Sequence, residues 1–319
     1  MPKKKRASSP SPKPSRGTGE KILSDLSRIL AGKSFDSEDD LNAFLAELSN
    51  GGALPAPQEN DAADEVWDLL EQAQESRSPK RRVTLARRVL ELDPDNADAC
   101  LFLAEEANTR AEAMTWLIEA VQAGERALPD DIETLAAEGS VWLDVDSRPY
   151  MRARTALAME FWTLGDRQPA IDLLWELLRL NPNDNQGLRY VLLSWLLSAG
   201  SVSSIDQLLA LYPDDGAAAW QYDRALHAFR TTGDSAASRK LLASAVRQNP
   251  HVPATLLGVM PLPDVLPDYI GFGDETEAAA YVANAFLRWS ESREAIEWLI
   301  ARTGKRTKAG AARRPRMEM

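Results

Sequence analysis

Residues 151–184 read MRARTALAMEFWTLGDRQPAIDLLWELLRLNPND. Apolar side chains recur every three or four positions on both sides of Gly165–Asp166, which is the spacing of one apolar helix face and not of a strand. The first half carries Leu157, Ala158 and Phe161, the second Ala170, Leu174 and Leu177. Gly165 and Asp166 turn the chain, and Pro182, which cannot continue a helix, ends the second half. The stretch therefore predicts two antiparallel helices joined by a tight turn. Such a hairpin cannot bury both apolar faces by itself, so it needs neighbours.

Working outward, the same punctuation recurs. LDPDN at 92–96, LPDD at 128–131, LNPND at 180–184, YPDD at 212–215 and QNPH at 248–251 each place a proline after a helical stretch. Asp or Asn beside it can cap the next helix. The prolines at 94, 129, 182, 213 and 250 are 35, 53, 31 and 37 residues apart. Three steps lie near the 34-residue period of tetratricopeptide repeats, and the long one marks an insertion or degenerate repeat around 131–150. Residues 151–184 match six of that repeat's eight signature positions, with Arg154 in place of Trp and Leu177 in place of a small residue. Residues 219–252 follow with Leu226, Phe229, Gly233, Leu242 and Pro250; 63–96 and 98–131 are looser, and 185–215 has Trp195 and Pro213 but Ser204 at the small position. The expected fold is all-α: a right-handed solenoid of tetratricopeptide-like repeats over 63–251, with a concave groove.

The flanks read differently. KILSDLSRILA at 21–31 and EDDLNAFLAEL at 38–48 predict a short helical pair over 21–50, the second helix capped by Ser37. Residues 51–62 have the composition of a linker. Residues 252–274 hold four prolines and three glycines among many apolar residues, which predicts an ordered extended segment packed on the array. Two helices over 274–300 would complete a C-terminal cap spanning 252–301.

Charge is uneven. Fourteen of the 37 basic residues but two of the 48 acidic ones lie in 1–21 and 302–319, leaving 23 basic against 46 acidic between them. So acidic a body repels phosphate backbones. The ends, 1–20 and 302–319, read as disordered basic tails, through which nucleic acid or import machinery could be contacted. No apolar stretch approaches the roughly 20 residues of a membrane span, and no secretory leader is evident. With one cysteine, Cys100, the expectation is a cytoplasmic chain without disulfides.

Little in the sequence points to catalysis. GFGD at 271–274 lacks the third glycine of a dinucleotide loop, and DVDSR at 144–148 lacks the glycine and closing Glu of a calcium loop. Cys100 lies on an apolar helix face, as do most of the nine tryptophans, and reads as core. The expectation is no enzyme, no cofactor and no metal. The better candidate is the groove. In a tetratricopeptide array the first helix of each unit faces it at about its second, fifth, ninth and twelfth residues. Those positions offer Arg152 in one unit, Arg189 in the next, and Asp223, His227 and Arg230 in the third. Arg forms forked hydrogen bonds to carboxylates. Arg152, Arg189 and Arg230, with Arg148 and Asn185, are therefore expected to clamp an acidic segment or a C-terminal carboxylate of a protein or peptide partner.

NPHVP at 249–253, the apolar Pro-rich segment and GFGDETEAAAYVANAFLRW at 271–289 together resemble the C-terminal region of the suppression of tumorigenicity protein 7 family. PYMRARTALAMEFWTLGDRQPAIDLLWELLRLNPNDNQGLRY at 149–190 resembles that family's central repeats as its bacterial members carry them. The resemblance spans roughly 63–300 and implies a helical-repeat protein with no catalytic residues to carry over. Eukaryotic members also have membrane-spanning segments; the lack of any here implies a soluble, bacterial-type member. The function expected is a protein-interaction scaffold. The rivals are a nucleic-acid-associated protein acting through its tails and an enzyme's accessory subunit.

Overall fold

The computed structural model describes residues 16–31, 33–49 and 62–311, all of them helix, turn or irregular chain. Residues 1–15 and 312–319 of the two basic ends, and most of the expected linker, lie outside the described residues. The helices fall into two compact units, one ending at Asn185 and the other beginning at Gln186.

The N-terminal unit contains α1 (Arg16–Ala31), α2 (Glu38–Ser49), α3 (Ala62–Glu75), α4 (Pro79–Leu92), α5 (Ala97–Glu105), α6 (Arg110–Arg126), α7 (Ile132–Glu138), α8 (Arg148–Leu164) and α9 (Arg167–Leu180). α3 packs on α4, α5 on α6 and α8 on α9, while α4 packs on α5 and α6 on α8, so each pair rests on the next. Local chemistry sets the helix starts. Pro79 occupies the first turn of α4 behind the Ser78 cap, where its missing N–H is harmless. Asn96 Oδ1 accepts from Ala99 N at 2.9 Å to start α5. Ser37 Oγ accepts from Asp40 N at 3.2 Å, as the sequence leads one to expect. Small residues then let the pairs close: Ala86, Ala120 and Ala170 are fully buried. A Cβ on Gly124 of α6 would lie 2.8 Å from Tyr150 Cα of α8, so only glycine permits that approach. The long proline step is filled by α7 and a series of turns, in which Ser147 donates to Asp144 and Val141 is buried.

The C-terminal unit contains α10 (Leu188–Ala199), α11 (Val202–Leu211), α12 (Ala218–Thr232), α13 (Ala236–Gln248), α14 (Val252–Leu256), α15 (Glu275–Ser290) and α16 (Arg293–Ala311). α12 is its axis, packing on α10, α11, α13, α15 and α16. Its core joins Tyr222, Ala225 and Leu226 to Leu242, Val252, Val282, Trp289 and Trp298.

Two boundaries and one packing expectation differ from the sequence reading. α1 begins at Arg16, inside the stretch expected to be tail. α16 runs on to Ala311; Thr303 is buried and its hydroxyl donates to Leu299 O at 2.6 Å, and Arg302 pairs with Asp234, so tertiary packing carries the helix past 301. The Pro-rich segment, expected to pack on the array, is exposed from Pro261 to Ile270 and forms no hydrogen bond with another described residue there. Pro261, Pro263 and Pro267 have no N–H to offer a neighbour.

Candidate functional site

The C-terminal unit holds a groove of about 610 Å3 that takes in the end of the Pro-rich segment. α10 supplies Tyr190 and Trp195, α12 Ala219, α15 Ala280 and Tyr281, and the segment itself Ile270 and Phe272. Aromatic and aliphatic carbon therefore forms most of the wall, in which Phe272 is 80% exposed. Ser194 and Asn284 contribute the uncharged polar groups.

Two charged residues, Glu277 and Arg288, also line the groove, and both are buried and engaged elsewhere. Arg288 donates to Asp223 through Nε at 3.0 Å and Nη2 at 2.7 Å, and through Nη1 to Ser194 Oγ and Asn284 O. Tyr281 Oη donates to Asp223 Oδ1 at 2.7 Å and accepts from Trp289 Nε1 at 2.7 Å. Asp223 and Arg288 are 1% and 7% exposed, so the pair is compensated inside the protein and presents little net charge. Burial, with the Asp223 carboxylate adjacent, holds the Tyr281 phenol well above its ordinary range, so it stays a donor.

Glu277 does a second job. Ala217, the N-cap of α12, has no side chain to offer the first turn. Glu277 Oε1 instead accepts from Ala218 N at 2.8 Å, across 59 residues. Its other oxygen accepts from Gly273 N at 2.8 Å and Asn249 Nδ2 at 2.9 Å. A carboxylate at a helix N-terminus also suits the helix dipole. α10, α12 and α15 are thus tied together directly under the groove. The residues doing so include Asn249, Gly273, Glu277, Tyr281, Arg288 and Trp289, all within the 249–289 stretch.

The expected clamp residues have internal partners. Arg152 donates from Nε to Asp98 at 2.8 Å and from Nη1 to both Glu20 oxygens at 2.9 Å. Arg148 donates to Trp142 O at 3.0 Å, and its Nη1 lies 3.6 Å from Glu20. Asn185 donates to Asn181 Oδ1. Arg189 pairs with Asp215 at 2.7 Å and donates to Tyr190 Oη. Burial, then the bond from Tyr190 to Asp215, pushes the Tyr190 phenol up to about 12. Arg230 donates to the carbonyls of Leu197 and Arg288. Asp223 is buried in the core of the C-terminal unit, and His227, largely buried and 2.9 Å from Asp206, lines a separate open hollow with Arg224 and Thr231. What sequence reasoning missed was Glu277 and Arg288. Their signal is legible afterwards: two charges on the otherwise apolar face of α15 that carries Ala278, Tyr281, Ala285 and Trp289.

Residues 57–305 match the family model described as ST7 protein. The chain belongs to this family. It is 28% identical over 255 residues to the suppressor of tumorigenicity 7 protein-like of Bos taurus, covering 72% of this chain and 45% of that one. It is 28% identical to the Homo sapiens counterpart over 253 residues, covering 72% and 44%. A protein ST7 homolog of Drosophila pseudoobscura pseudoobscura is 27% identical over 266 residues, covering 76% and 49%. The chain thus spans less than half the length of these relatives. The family match takes in α3 through α15 and leaves α1 and α2 ahead of it. No described helix is long and apolar enough to cross a membrane.

Proposed function

We propose that the chain is a non-enzymatic protein-interaction scaffold of tetratricopeptide-like helical pairs, and that the groove of its C-terminal unit holds a neutral, apolar segment of a partner protein. One observation carries this reading: a large groove walled by Tyr190, Trp195, Phe272 and Tyr281 whose two charged lining residues are already compensated. A charged ligand would find no free counter-ion there, whereas an apolar side chain replaces water against carbon at about 25 cal/mol per Å2 buried. The rigid network below keeps the walls in place before binding, which lowers the ordering penalty of association. Ser194 and Asn284 give the partner's backbone two places to hydrogen-bond. The acidic segment foreseen from the Arg positions is not retained, because those cations have internal partners. We place the scaffold in the cytoplasm, in keeping with its single buried thiol.

Selection of random peptides displayed on phage tests this reading. Enrichment of peptides with large apolar side chains and no conserved charge is expected on the wild type. Those peptides should lose at least tenfold in affinity on Asn284→Trp, an exposed position where an indole narrows the groove without entering the core. Enrichment of acidic peptides, or equal binding to the Asn284→Trp chain with unchanged helicity, refutes it.

A further inference from the structure

The Pro-rich segment carries one short unit twice in succession. Leu262–Pro263–Asp264–Val265 is followed at once by Leu266–Pro267–Asp268–Tyr269. The backbone repeats with the sequence: in each unit the chain bends at the Asp and at the residue after it, and at neither Leu nor Pro. Exposure repeats too, the leucines at 42% and 41%, Val265 and Tyr269 at 81% and 77%. Proline fixes its own φ and restricts the leucine before it, so both units start stiffly in the same way. The segment is fastened at both ends, by Met260 N to Ala254 O at 3.0 Å and by Gly271 N to Thr276 Oγ1 at 2.9 Å. Between those ends Asp264 and Asp268 make no hydrogen bond or ion pair with another described residue. A run of large apolar side chains left in water marks an interaction surface. The two carboxylates within it repel phosphate, which disfavours nucleic acid and anionic lipid.

A complementary surface lies on the same unit, in the hollow of about 480 Å3 lined from α11, α12 and α13. Leu209, Ala210, Pro213, Ala228 and Leu241 give it apolar walls, and Arg224 gives it a cation. Arg224 has no carboxylate partner among the described residues; its hydrogen bond, to Pro213 O, is 3.5 Å long. The other two charged residues there, His227 and Asp206, engage each other at 2.9 Å. The hollow thus offers carbon for one apolar side chain and a guanidinium for one carboxylate. Each unit of the loop presents that pair side by side. No residue of 262–269 is in the hollow's wall, so the two surfaces do not meet within one chain.

We propose that the chain self-associates by seating Val265 or Tyr269 of one copy in this hollow of a second copy, with the adjacent Asp264 or Asp268 on that copy's Arg224. Arg forks onto carboxylates, so the ion pair fixes the register while the apolar side chain leaves water. The fastened, proline-stiffened loop has little freedom to lose on docking. Neither surface lines the groove assigned to the partner segment, so the two contacts are separable.

Charge exchange on the full chain, followed by sedimentation velocity, tests this. Wild type should grow in mass with concentration. Arg224→Glu and the Asp264→Lys/Asp268→Lys chain should each stay monomeric. An equimolar mixture of the two should associate again, because each hollow then faces a loop of opposite charge. All three positions are at least partly in solvent, and circular dichroism checks that helicity is unchanged. A fluorescent peptide of residues 260–270 is the second probe. It should bind wild type and the Asn284→Trp chain alike, and Arg224→Glu at least tenfold more weakly, a difference that shrinks with added salt. A wild type that stays monomeric at every concentration overturns the proposal, as does a mixture that fails to associate. So does a peptide whose binding is lost on Asn284→Trp rather than on Arg224→Glu.

Discussion

Asp223→Asn is the perturbation whose outcome the structure specifies most fully. The carboxylate accepts three hydrogen bonds, two from Arg288 at 2.7 and 3.0 Å and one from Tyr281 at 2.7 Å, at 1% exposure. Asn keeps the shape but loses the charge, and its NH2 faces a donor whichever way the amide turns. Arg288 is left buried without a counter-charge. Breaking one side of a buried pair typically destabilises by about 3–5 kcal/mol. With a urea m value of about 2 kcal/mol per M, the midpoint should fall by about 2 M. Equilibrium urea unfolding followed by circular dichroism measures it. Removing both members with apolar residues of similar size, Asp223→Leu with Arg288→Met, should recover much of the loss, because the desolvation penalty goes with the charges. A loss below about 1 kcal/mol for Asp223→Asn, or a double variant worse than the sum of the singles, refutes the view that this network fastens α10, α12 and α15.

Other consequences follow from the same contacts. Glu277→Ala should cost about 1–3 kcal/mol by orphaning the amides of Ala218 and Gly273, and Glu277→Gln less because one acceptor oxygen survives; denaturant titration ranks the two. Gly273→Ala should cost at least about 1–2 kcal/mol, since Gly273 has φ +78° and an added Cβ would sit 3.0 Å from Gln248 O; thermal unfolding checks it. Burial pushes the Cys100 thiol up to about 11, so a thiol reagent at pH 8 should react with it only after denaturant is added. In the unfolded chain Cys100 and Tyr190 lose their protons first, near pH 8.5 and 10. Their stabilising contribution should therefore be intact below about pH 8.5 and be lost as pH rises towards 12; urea titrations across that range follow it.

The helices and their turns were legible because their causes are local. Leu157, Phe161, Ala170 and Leu174 sit at helical spacing around Gly165, and Ser37 and Asn96 cap helices from one turn away. Cys100 was legible as core for the same reason, its apolar neighbours in 97–104. Long-range pairing was not legible. Nothing near Arg152 shows that its partners are Asp98 and Glu20, and nothing near Ala217 shows that Glu277 completes the first turn of α12. The exposure of 261–270 was misread because apolar content was taken to require burial, whereas prolines without N–H groups, in a stretch that forms no hydrogen bond with another described residue, leave it outside.

On the proposed function, the groove between α10, α12 and α15 receives a neutral apolar segment. Hydrogen–deuterium exchange of the full chain, with and without a saturating selected peptide, tests it most directly. Slowed exchange confined to residues around 190–195, 217–219 and 270–284 is the predicted result. Protection elsewhere, with those three stretches exchanging as in the free chain, would contradict it.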